Sequence, residues 1–122
     1  MKLIIPIGWT LLMAIVLLLP GSSIPKTDMI VIPHLDKFIH FILFGGLVFF
    51  WGFYLKDKKL NFKWKEIITA LVVAAISFGI AIEFIQGYVI LSRSFDKVDI
   101  MANSLGAISA AVGIFVLKIK EN

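Results

Sequence analysis

Four apolar stretches, Leu3 to Leu19, Phe38 to Leu55, Ile67 to Leu91 and Ile100 to Leu117, alternate along the chain with shorter polar segments. A bilayer's hydrocarbon layer, about 30 Å thick, is crossed by a helix of roughly 17 to 25 apolar residues, and each stretch falls in that range. The pattern predicts an all-α, polytopic membrane protein: one domain over residues 1–122, with four transmembrane helices in an antiparallel bundle. The segment from Pro20 to Leu35 holds Pro20, Gly21, Pro25 and Pro33, which predicts an irregular connection. Ser92 to Val98 is short enough to make the third and fourth helices antiparallel neighbours. Asp36 is expected in the first turn of the second helix, and Asp96 or Asp99 at the cap of the fourth, where carboxylates meet the positive end of the helix dipole.

Small residues suggest where backbones approach. Ala70, Ala74, Ala75 and Gly79 on the third helix, with Ala102, Gly106, Ala110 and Gly113 on the fourth, predict close packing of that pair. Gly45-Gly46 reads as a packing notch or a kink in the second helix.

Composition strengthens the membrane assignment, since 60% hydrophobic residues and a mean hydropathy of +0.99 are outside the range of ordinary soluble domains. Cysteine is absent, which excludes thiolate chemistry and disulfides. The net charge of +4 does not point to nucleic acid, because the basic residues sit between apolar segments. Lys56, Lys58, Lys59, Lys63 and Lys65 crowd the second loop, and the positive-inside rule keeps that loop cytoplasmic. Both termini then lie inside, with Lys2, Lys118 and Lys120, while Lys26, Lys37, Arg93 and Lys97 lie outside. The expected location is the cell membrane. Lys2, the first apolar run and Gly21-Ser22-Ser23 also have the form of a secretory signal, but the length of the run and Pro20 at its end favour a retained helix.

Polar residues embedded in the apolar stretches carry the candidate chemistry. Asp36 and His40, Glu83 and Gln86, and Asp99 and Asn103 lie three or four apart, so each pair shares a helix face. In the predicted topology all three pairs reach the outer leaflet at similar depth. Ionisable groups in lipid are costly and face a bundle interior or a wet cavity, so three sets on three helices suggest one site on the extracytoplasmic side.

Two uses of that site remain open on the residues alone. In one, Arg93 or Lys37 pairs with Glu83, Asp96 or Asp99, and Gln86 and Asn103 satisfy helix ends, locking the helices together. In the other, Arg93 and Lys37 hold a phosphate while His40 or Glu83 serves as acid or base. No short ligand motif announces a metal site from Asp36, His40, Glu83 and Asp99, and neither metal nor cofactor is expected.

The set Asp36-Lys37-x-x-His40-Phe41, Glu83-x-x-Gln86 and Arg93 followed by Asp99-x-x-x-Asn103-x-x-Gly106, on successive apolar segments, resembles the VanZ-like family of small bacterial membrane proteins. The resemblance covers nearly the whole chain. It implies four spans and a motif set of Asp36, Lys37, His40, Glu83, Gln86, Arg93, Asp99, Asn103 and Gly106. The family takes its name from a protein of glycopeptide-resistance clusters linked to teicoplanin, a drug acting on cell-wall precursors outside the membrane. The resemblance therefore implies partners among membrane lipids, such as an anionic envelope lipid or a cell-wall precursor. Rival expectations are an enzyme modifying a phospholipid or polyprenyl-phosphate head group, and a structural or partner-binding protein.

Overall fold

The computed structural model describes residues 1–19, 35–90 and 94–117. Four helices account for most of them: α1 (Ile4–Leu18), α2 (Leu35–Leu55), α3 (Trp64–Tyr88) and α4 (Lys97–Val116). The described residues are helical or lie in turns and short connections, without strands. The helices α2, α3 and α4 are long and apolar enough to cross a membrane. α1 is apolar but, at 15 residues, only about 22 Å long, shorter than the ~30 Å hydrocarbon layer. Gly21-Ser22-Ser23 and nearly all of the connection expected from Pro20 to Leu35 lie outside the described residues.

Several boundaries depart from the apolar runs, and four of them have a local reason. α2 and α4 start three residues earlier than their apolar stretches, because polar first turns are favoured at a helix N-terminus: Asp36 lies in the first turn of α2 and Asp99 in that of α4. Asp96 caps α4, its Oδ1 accepting from the Val98 N–H at 2.8 Å. α3 begins at Trp64, where the Glu66 carboxylate accepts from the Lys63 N–H at 3.0 Å. α1 stops before Leu19, whose extended ψ of 141° suits a residue preceding proline in the sequence.

Paired residues give the directions of the helices. Lys37 meets Asp99, His40 meets Asn103, and Gly45 meets Gly106, so α2 and α4 run the same way in register. α3 runs against both: Gly79 faces Phe44 and Asn103, and Glu83 faces Asp96. α1 runs alongside α3, meeting it where the Gln86 amide donates to the Leu17 carbonyl.

The closest packing lies between α2 and α4, not between α3 and α4 as the small-residue spacing predicts. A Cβ on Gly106 would overlap the Phe41 carbonyl, and one on Gly45 would sit 3.2 Å from the Gly106 carbonyl oxygen. Gly45 is thus a packing notch. Of the remaining small residues, Ala75 and Gly79 are buried, Ala70 and Ala74 are exposed, and Gly113 has open space beside it. Spacing shows that a helix has a small face; the neighbour that fills it is chosen by the whole packing arrangement. A single apolar core runs through the structure, with Met13 and Leu17 from α1, Phe44 and Val48 from α2, Ile68 and Ile82 from α3, and Ala107 and Ile114 from α4. Trp9 fits against Gly46 and donates its indole N–H to the Leu43 carbonyl at 2.9 Å, which fixes α1 to α2.

Candidate functional site

Helix periodicity places Lys37 and His40 on one face of α2, and Asp99 and Asn103 on one face of α4; the glycine contact brings these faces together. The first consequence is a four-residue ion cluster. The Lys37 ammonium lies 2.7 Å from Asp36 Oδ2, 2.5 Å from Asp96 Oδ2 and 2.6 Å from Asp99 Oδ1. The three carboxylates converge closely enough to suggest a cation site, with ligand atoms within 4.8 Å of one another, and the lysine ammonium is the cation they share.

Burial grades the cluster. The Asp36 side chain is 63% exposed and forms the rim, whereas that of Asp99 is 10% exposed and forms the floor. Beneath it, His40 Nδ1 lies 2.8 Å from Asn103 Oδ1. That amide oxygen accepts, so Nδ1 carries the proton and Nε2 faces Asp99 Oδ2 at 3.5 Å. An imidazole so held can take a proton at Nε2 with a carboxylate beside it.

Glu83 enters from α3 and is fully buried. Its Oε1 accepts from the Asp96 N–H at 2.5 Å. Next to Asp96, Phe95 packs on Phe84 and Tyr88 and takes the space that a side chain on Gly87 would occupy. Two buried polar atoms, Glu83 Oε2 and Asn103 Nδ2, have no hydrogen-bond partner among the described residues. Buried polar groups are normally satisfied, which makes this pair informative.

The residues read as sharing a helix face make their bonds to other elements. His40 bonds across to Asn103 rather than along its helix to Asp36, and Gln86 turns away from Glu83 to the Leu17 carbonyl at 2.6 Å. Of the two uses open to Lys37, pairing with Asp96 or Asp99 and holding a phosphate, the structure has the first, with Asp36 as a third carboxylate. Arg93 lies outside the described residues. Asp96, expected only as a cap or ion-pair partner, belongs to the site through both its side chain and its backbone; its position beside a helix start was the available signal.

Asp96 lies outside the spans, and its carboxyl is held below the usual aspartate range by the Lys37 ammonium and then by the Val98 N–H. A depressed folded-state pKa contributes stability above the ordinary value of 3.8 that is lost as pH falls through the folded value. Acidification below about pH 4 is therefore expected to lower the melting temperature. Asp96→Asn, which keeps a good capping residue while removing the charge, should flatten that dependence; an unchanged acid profile would dissociate Asp96 from it.

No curated protein and no solved structure matches the chain significantly. The model of one protein family, VanZ/LLP1, matches residues 3–119, nearly the whole chain. Because that match spans nearly the whole chain, and the helices α2, α3 and α4 are long and apolar enough to cross a membrane, this chain belongs to the VanZ/LLP1 family.

Proposed function

We propose that this VanZ/LLP1-family protein is a multi-pass protein of the cell membrane that engages the head group of an envelope lipid or cell-wall precursor at an extracytoplasmic polar site. In this reading α1 is the fourth span, aided by the apolar residues flanking it, and both termini are cytoplasmic. The lysine-rich segment between α2 and α3 supports that orientation, because it lies at the end opposite the polar cluster.

The observation carrying the proposal is the buried, unpaired pair of atoms, Glu83 Oε2 and Asn103 Nδ2. An unsatisfied polar group in an apolar environment costs about 1–3 kcal/mol, more when charged, so a hydroxyl or amide of a bound head group would find both an acceptor and a donor waiting. Lys37 is already engaged by three carboxylates, so the anionic part of the ligand falls to Arg93, with Lys37 setting the local charge balance. The teicoplanin association implied by the family resemblance fits a site facing the wall side of the membrane.

A second reading is favoured by a separate observation: each buried polar bond of the cluster joins two elements, Lys37 and His40 to α4, Glu83 to the start of α4, and Gln86 to α1. In that reading the network locks helices and binds nothing. Native mass spectra of the gently solubilised protein, beside Arg93→Ala and Glu83→Gln, separate the two. Loss of a specific retained lipid from folded variants supports head-group binding. A bare wild-type protein, with both variants destabilised, supports the lock.

A further inference from the structure

The end of the molecule away from the polar cluster carries a second feature, independent of the proposed head-group site. α1 and α3 are tied together where Gln86 meets Leu17, whereas toward the start of α3 a hollow of about 250 Å³ opens beside α2. Leu47, Val48 and Trp51 of α2 form its floor, with Thr10 of α1 on one side and Leu71 and Phe78 of α3 on the other. The Trp51 indole does not cross the opening unsatisfied, because it donates to the Thr10 hydroxyl at 3.0 Å.

Leu71 and Ala74 also line a second hollow of about 370 Å³, which reaches Leu55, Phe62 and Ile67 near the start of α3. The two make one apolar trough along the helix. Glu66, Ala70 and Ala74, four residues apart, form its outer ridge, and across that ridge a shallower depression is bordered by Lys63 and Lys65. Ala70 and Ala74 are exposed, so the ridge is low enough for a chain to lie against it.

The charge at this end is one-sided. Lys56, Lys58, Lys59, Lys63 and Lys65 meet only Asp57 and Glu66 nearby in the sequence. Lys56 and Lys58 sit over the rings of Phe53 and Tyr54, at 3.8 and 4.5 Å from the ring centres. Among the described residues, Lys63 and Lys65 form no ion pair with a carboxylate, which leaves both ammonium groups for an external anion.

An apolar trough whose Ala70 and Ala74 ridge is shared with a depression bordered by Lys63 and Lys65, on a chain built of membrane-span-like helices, matches a ligand with an anionic head and an aliphatic tail. We propose that this trough binds an anionic phospholipid, its acyl chain along Ala70, Ala74 and Trp51 and its phosphate at Lys63 and Lys65. Neutral lipid would fill the same apolar volume without using the lysines. A second copy of this chain would bring the same lysines together and repel itself if it docked through this end.

The test is native mass spectrometry of the full chain titrated with phosphatidylglycerol or phosphatidylcholine of identical acyl chains. The wild-type protein should retain phosphatidylglycerol preferentially. Lys63→Gln/Lys65→Gln should reduce that preference about tenfold, while Ala70→Leu/Ala74→Leu, which fills the trough with a good helix former, should weaken retention of both lipids. A circular dichroism melt confirms that both variants fold, as expected for changes at exposed positions. Lys97→Gln, at an exposed lysine at the start of α4, should leave the preference intact, which ties it to Lys63 and Lys65 rather than to positive charge in general. Equal retention of the two lipids by the wild type, a preference indifferent to both trough and lysine variants, or a dimer broken by Ala70→Leu/Ala74→Leu would each overturn the proposal.

Discussion

Gly106→Ala is expected to destabilise the protein by about 3 kcal/mol or more, the upper part of the range for overpacking a tight contact. The added Cβ would overlap the Phe41 carbonyl, a backbone group that cannot rotate away as a side-chain end can. Relief requires α2 and α4 to separate, and that movement carries Lys37 away from Asp99 and His40 away from Asn103. The penalty is therefore shared between packing and polar contacts. In lipid this matters doubly, since apolar surfaces gain little by leaving a hydrocarbon solvent and close backbone approach supplies much of the association. Gly113→Ala is the matched control: it lies two turns further along the same helix, with nothing within 4 Å of the added carbon. It should melt at or slightly above the wild-type temperature. Circular dichroism melts of the detergent-solubilised proteins make the comparison, and a Gly106→Ala protein melting with the wild type would show that α2 and α4 are not in this contact.

Lys37→Met should have the second largest effect, a loss of about 3 kcal/mol, as expected when one partner of a largely buried ion pair is removed. The ammonium bridges α2 to Asp99 in α4 and to Asp96 at its cap, so its loss leaves three converging carboxylates without their shared cation. The damage should not be spread evenly. Asp36, 63% exposed, keeps its water and contributes little, so Asp36→Asn alone should cost less than about 1 kcal/mol. Asp99, 10% exposed, carries most of the burden. Adding Asp99→Asn to Lys37→Met should recover a large part of the lost stability, because it removes the charge left stranded. A double variant no more stable than Lys37→Met would mean that Lys37 acts through its aliphatic stem.

The same residues show how far the sequence could be followed. The three long helices were legible because a backbone in hydrocarbon must satisfy its own hydrogen bonds, which makes a continuous apolar run nearly synonymous with a helix. Asp36 in a first turn and Asp96 at a cap were legible for a similar reason, since capping depends on a few adjacent residues. That Lys37 and His40 meet Asp99 and Asn103 at the same level followed from counting along each helix. Each of these properties is local, or set by the solvent alone.

What each polar side chain touches was decided elsewhere. The spacing of Asp36 and His40 shows a shared face, but the bond His40 makes is to Asn103, sixty-three positions away. For Lys37 the sequence offered Asp96 or Asp99 as an ion-pair partner and a phosphate as the alternative; the fold brings both aspartates and Asp36 to it at once. Gln86 found its acceptor in the Leu17 carbonyl, a backbone group that no residue type advertises. The rotation of each helix about its axis, and the choice of α2 as the partner of Gly106, depend on filling space across the whole molecule at once. The sequence by itself determined that this chain forms helices suited to a membrane and carries polar groups near one end. Only the tertiary structure decided which charges cancel, which atoms are left unpaired, and where a trough opens, because those are properties of side chains from different helices meeting in space.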